Sequence, residues 1–164
     1  MSSVQTMQAA YAALANDDPS VLFGAMAPDI RWYQAEGNPL ADGNPYVGAQ
    51  AVGEGVFGRL LAAIDGFTVA PDRFVDGGAE NVIVLGRYGG TMKHSGAKVD
   101  AEFCHVYRLD GDRIVSFHQY TDSAQWARLM QFRNLPKILS LKPSQKTFIT
   151  QAILKSLRAM AYLI

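Results

Sequence analysis

Apolar residues recur along this chain with two periods, and the change from one to the other divides it. Over residues 4–16 (VQTMQAAYAALAN) strong helix formers run unbroken to Asn16-Asp17-Asp18-Pro19, which predicts a helix ending there. Asp18 and Pro19 read as the cap and first residue of a second helix carrying Val21, Leu22 and Met26, closed by Pro28. Residues 29–34 (DIRWYQ) read as a strand. A loop rich in Gly, Asn and Pro follows from Glu36 to Gly48. Val52, Val56, Phe57, Leu60, Leu61 and Ile64 then fall on one stripe of a helix over about 49–64. From there the period drops to two. Strands are predicted over 68–75, 81–92, 97–109 and 113–120, with short turns at 77–78, 95–96 and 110–112. Strands joined so closely pair as an antiparallel meander. Gly86, Gly89 and Gly90 inside one strand predict a bulge or bend that curls the sheet around a cavity. Three helices ahead of a curved sheet make an α+β domain.

The final hairpin carries the candidate chemistry. Alternation along DAEFCHVYRLDGDRIVSFHQYTD (100–122) sets Phe103, His105, Tyr107 and Leu109 on one face, opposite Phe117, Gln119 and Thr121. An imidazole and a carboxamide among aromatic rings have the composition of a small-molecule pocket: apolar walls with few orienting groups. Trp32 is read as a further wall residue, with Tyr33 pointing the other way. Cys104, Val106, Ile114 and Tyr120 fall on the opposite sheet face, whose apolar character predicts cover by a second copy of the chain. Glu36 and Asp122 stand near strand ends. Glu36 is read as a solvated loop acid or a carboxylate at the cavity mouth. Asp122 is read as the cap of a short helix bearing Trp126, Leu129 and Met130, or as a reserve base. His94, His105 and His118 have no spacing that makes a metal motif.

Composition adds bounds. The 164 residues fit one domain, and a single cysteine, Cys104, forms no internal disulfide. With no basic, apolar leader and no membrane-length apolar run, the expected location is the cytoplasm. Net charge is zero but unevenly laid out. All 15 acidic residues lie at or before Asp122 beside eight basic ones, and the other seven basic residues follow it. The tail from 131 to 164 is expected to hold a basic amphipathic helix over about 144–163, read as docking on the chain's own acidic body or its dimer mate, as binding a partner or an anionic membrane surface, or as locally disordered. A neutral chain with no basic sheet face argues against nucleic acid.

The element order, with WYQAEGNPLADGNPYVG, VLGRYGGTMKHSG and HVYRLDGDRIVSFHQYTDSA, resembles the SnoaL-like, ketosteroid-isomerase-related proteins of the nuclear transport factor 2-like superfamily, over residues 4–130. The resemblance implies a cone-shaped curved antiparallel sheet (a cystatin-like roll) with three N-terminal helices on its concave face. It implies a cone domain over 1–130 and a homodimer through the sheet. The base aspartate of the isomerases corresponds to Gln34, their protonated oxyanion-hole aspartate to His105 and their tyrosine to Tyr11. The acid/base aspartate of the cyclases corresponds to Gln119. Amides at 34 and 119 have no useful proton affinity, so His105 is left as the titratable group near neutral pH.

The catalytic set expected is therefore His105, Gln119 and Asp122. Tyr11, Trp32, Gln34 and Glu36 are expected to contact ligand, together with Phe103, Tyr107 and Phe117. No metal and no cofactor are implied. Three functional readings stand: a cofactor-independent isomerase, cyclase or lyase acting on a small hydrophobic, partly oxygenated molecule; a noncatalytic protein binding such a molecule; and an interaction module working through the basic tail.

Overall fold

In a computed structural model, which describes residues 2–131, helix α1 (Ser3–Leu14) starts at a reciprocal cap. The Ser2 hydroxyl accepts from the Gln5 backbone N–H, and the Gln5 side chain accepts from Ser2 N at 2.8 Å. Helix α2 (Ser20–Ala25) is shorter than its pattern predicts, and Met26 opens strand β1 (Met26–Tyr33) instead of closing the helix. Pro28 disfavours the helical conformation at Ala27, which ends the helix there and starts the strand early. The helix expected over 49–64 forms as α3 (Ala49–Val52), a π-helical turn (Gly53–Phe57) and α4 (Gly58–Ala63), run end to end. The tail helix expected over 144–163 lies outside the described residues.

The meander forms as predicted: β3 (Ile64–Gly78), β4 (Asn81–Met92), β5 (Lys98–Asp110) and β6 (Arg113–Thr121) pair antiparallel in turn. A two-residue strand β2 (Tyr46–Val47), not foreseen, closes one edge, giving the order β2-β1-β6-β5-β4-β3. One ladder departs from the antiparallel pattern, since β1 lies parallel to β6. The bend expected at the glycines of β4 appears as bulges in β3 opposite them, between Asp65 and Thr68 and between Pro71 and Arg73. Gly86 is required there, because a Cβ would run into the Ala70 carbonyl and the Phe103 ring.

A register shift between Arg108 and Leu109 has a further consequence. Ile114, expected on the outer face, is turned inward and fully buried. The helices cover the concave face: Met7, Ala10 and Tyr11 of α1 are buried over β3 and β4, while Val56 and Leu60 are buried on the second helical run. Helix α5 (Ser123–Gln131) brings Trp126 into the same core. Among the described residues no helix is long and apolar enough to cross a membrane.

Candidate functional site

His105 and Gln119 sit directly opposite each other across β5 and β6, in the register the hairpin turn implies. Both are buried. The imidazole stacks on Phe103, with ring centroids 4.0 Å apart, and meets Phe117 edge-on at 5.0 Å. Both of its nitrogens are occupied: Nδ1 lies 2.5 Å from the Tyr11 hydroxyl of α1, and Nε2 is hydrogen-bonded to the Tyr88 hydroxyl of β4. Tyr11 bonds on to the Tyr107 hydroxyl at 3.0 Å. Tyr88 accepts from Gln119 Nε2 at 2.7 Å. The Gln119 carbonyl oxygen accepts from the Ala35 backbone N–H at 3.3 Å and from Asn38 Nδ2 at 3.1 Å, which fixes which way its amide points. A continuous hydrogen-bonded line thus runs from the end of β1 through Gln119, Tyr88, His105 and Tyr11 to Tyr107.

Burial decides the electrostatics of that line. With no carboxylate beside it, His105 loses its hydration and has its pKa pushed down to about 3. It is neutral at physiological pH, and the sequence-based view of it as a group titrating near neutrality is corrected by the absence of any compensating charge. Tyr11, Tyr88 and Tyr107 are all raised by the same loss of water and stay protonated. The arrangement can give and take hydrogen bonds. It holds no proton donor or acceptor matched to neutral pH.

These groups face a hollow under the helices. Of the expected residues, Tyr11, Trp32, Gln34, Tyr107 and Phe117 line it with His105 and Gln119. The rest of the wall is apolar, with Val56, Phe57 and Leu60 from the second helical run and Phe67 and Val69 from β3, and none of its lining residues carries a charge. The free space is narrow, about 30 Å³ open to the centres of water molecules, which admits a water or two. Three expected residues are not on this wall. Phe103 is buried behind His105. Glu36 is exposed and lines an outer cleft with Tyr33 and His118, on the far side of Gln34 and Gln119, which line both spaces. Asp122 is exposed and caps α5, its carboxylate accepting from Gln125 N at 2.9 Å. Neither carboxylate reaches the hollow.

Tyr88 and Asn38 were missed by the sequence reading. Tyr88 had a signal, since it shares the period-two face of β4 with Val82, Val84 and Gly86. Asn38, in a loop, had none. Two buried atoms on β1 and just beyond it have no hydrogen-bond partner among the described residues: Trp32 Nε1 and Gln34 Oε1.

Comparison with known proteins agrees with this architecture. The family model described as SnoaL-like domain matches residues 7–117. No curated protein matches. An NTF2-like protein from Burkholderia thailandensis is 35% identical, covering 80% of this chain and 98% of its own, with a TM-score of 0.74. An NTF2-like protein from Burkholderia pseudomallei is 31% identical over 79% and 98%, at a TM-score of 0.69. The fold is also that of TerC, crystallised with polyporic acid: 21% identity, 79% and 98% coverage, TM-score 0.68.

Proposed function

The chain belongs to the SnoaL-like domain family, and from that premise we propose that it binds a small, uncharged, largely apolar organic molecule in the hollow and holds it without transferring a proton. The observation that carries this reading is the hollow's lack of any charged or near-neutral titrating group. His105, its one imidazole, has both nitrogens engaged by tyrosines. TerC, which shares the fold, was co-crystallised with polyporic acid, which supports small-molecule binding by this architecture. The wall that gives way to admit it is the second helical run. Gly53, Gly55 and Gly58 weaken the helix there, and its π-helical turn carries Val56 and Phe57 into the hollow.

The test is to purify the protein from its own host and identify bound small molecules by native mass spectrometry. A neutral molecule that is released unchanged, and that raises the melting temperature when added back, supports the reading. Conversion of that molecule by the protein, lost in His105→Ala, would overturn it in favour of catalysis. The isomerase or cyclase alternative has one observation in its favour: hydroxyls on Tyr11, Tyr88 and Tyr107 that could polarise a carbonyl.

A second copy packs on the outer face of β5 and β6, where Tyr120 is 58% exposed and Cys104 and Val106 are half-buried.

A further inference from the structure

Hydrogen counting along the buried line leaves a surplus. Four links join Gln119, Tyr88, His105, Tyr11 and Tyr107. Gln119 fills the first with an N–H, because its carbonyl oxygen is committed to Ala35 N and Asn38. The three links that remain are served by four hydrogens, one each on Tyr88, the neutral imidazole, Tyr11 and Tyr107. Whichever way the line is polarised, one tyrosine O–H is left without an acceptor among the described residues, and all three tyrosines line the hollow. Trp32 adds a second unspent donor: its Nε1–H has no partner among the described residues, though the residue is only 3% exposed. Gln34, 4% exposed, supplies a buried amide oxygen, Oε1, that accepts from no group among the described residues. Trp32 and Gln34 are two residues apart and both line the hollow, so they stand on one face of the extended chain. Leaving such groups unsatisfied in a buried site is costly, which makes them a template for what enters.

We propose that Trp32 Nε1–H and Gln34 Oε1 form the recognition edge of this site, selecting an uncharged molecule that presents a ketone- or ester-type oxygen to the indole and a hydroxyl or N–H to the amide. The inference rests on the hollow being the ligand site and goes further, by naming the groups that discriminate. The surplus tyrosine O–H adds a second donor, so acceptor oxygens are favoured over donors. An ammonium ion offers no acceptor, and a carboxylate finds no countercharge among the lining residues. Selectivity thus comes from two β1-side residues, while His105 serves to hold the tyrosines in place.

Four molecules of similar width test this by titration calorimetry: ethylbenzene, acetophenone, 4-ethylphenol and 4′-hydroxyacetophenone. Wild type is expected to bind acetophenone about tenfold more tightly than ethylbenzene, and 4′-hydroxyacetophenone most tightly, each step being one net hydrogen bond. Trp32→Phe should lower the ratio of acetophenone to ethylbenzene affinity, compared within each protein, the part that remains being carried by the surplus tyrosine O–H. Gln34→Met should erase only the preference for the hydroxyl. Should Trp32→Phe fail to fold, the carbonyl stretch of bound 4′-hydroxyacetophenone in wild type is a second readout, expected at lower frequency than in an alkane. Ranking by hydrophobicity alone, with an unshifted carbonyl band and inert variants, would mean that water satisfies these groups. That result overturns the recognition edge while the ligand site stands. Binding of none of the four would overturn both.

Discussion

His105 touches Tyr11 through Nδ1 and Tyr88 through Nε2, and in that position its neutrality ties stability to pH. Free imidazole titrates near 6.5 and the buried one near 3. Between those values the unfolded chain takes up a proton that the folded protein does not. Stability is therefore flat above about pH 6.5 and falls steadily as pH drops towards 3. At pH 5 the loss is about 2 kcal/mol, one and a half pH units at 1.36 kcal/mol each. Urea midpoints measured from pH 8 to 5 should show that slope in wild type and a shallower one in His105→Gln; equal slopes would mean that the imidazole is not neutral in the fold. Gln119 matters for a different reason, because it spans three partners on two elements. Gln119→Leu leaves the Ala35 N–H without its acceptor and the Tyr88 hydroxyl without its donor, and should cost about 1–3 kcal/mol in the same assay.

At the scale of elements, the helical run from Ala49 to Ala63 is shaped by what its glycines touch. A Cβ on Gly55 would enter the Tyr46 ring. That ring has little room to move, since its hydroxyl donates to the Leu40 carbonyl at 2.8 Å and lies 2.9 Å from the Asp42 carboxylate. Helix propensity alone favours alanine by about 1 kcal/mol. Overpacking outweighs it, and Gly55→Ala should destabilise by about 1–3 kcal/mol in chemical denaturation; a stabilised variant would show that Tyr46 yields. The nearby Arg59–Asp42 pair, at 2.7 Å but with side chains 40% and 59% exposed, is a poorer lever. Arg59→Met should cost less than about 1 kcal/mol. If the run is the moving wall, its amides from Gly53 to Leu60 should exchange more slowly with ligand bound, whereas the β4 and β5 amides should change little.

For the whole molecule, the outer sheet face and the curvature of the cone set the terms. Sedimentation should give twice the chain mass, and Tyr120→Arg should return it to the single-chain value with the secondary structure seen by circular dichroism retained; a wild-type monomer would remove the proposed second copy. The cone was legible early. Two periods of apolar residues separated helices from sheet, short Gly-containing turns forced a meander, and Gly86 marked the place where β4 needs its backbone bare against Ala70. Alternation alone placed His105 opposite Gln119. Yet alternation is local, and one register slip at Arg108–Leu109 was enough to turn Ile114 inward. The helix boundary at Met26 also moved, because Pro28 acts on the residue before it. What the chain's order of residues determined was the set of elements and the faces they present, since both follow from sterics and burial within a few neighbours. Tertiary structure alone decided the chemistry: Tyr11, Tyr88 and Gln119 arrive from three separate elements to enclose one imidazole. Charge state depends on how completely water is excluded, and no residue can specify that without the others around it.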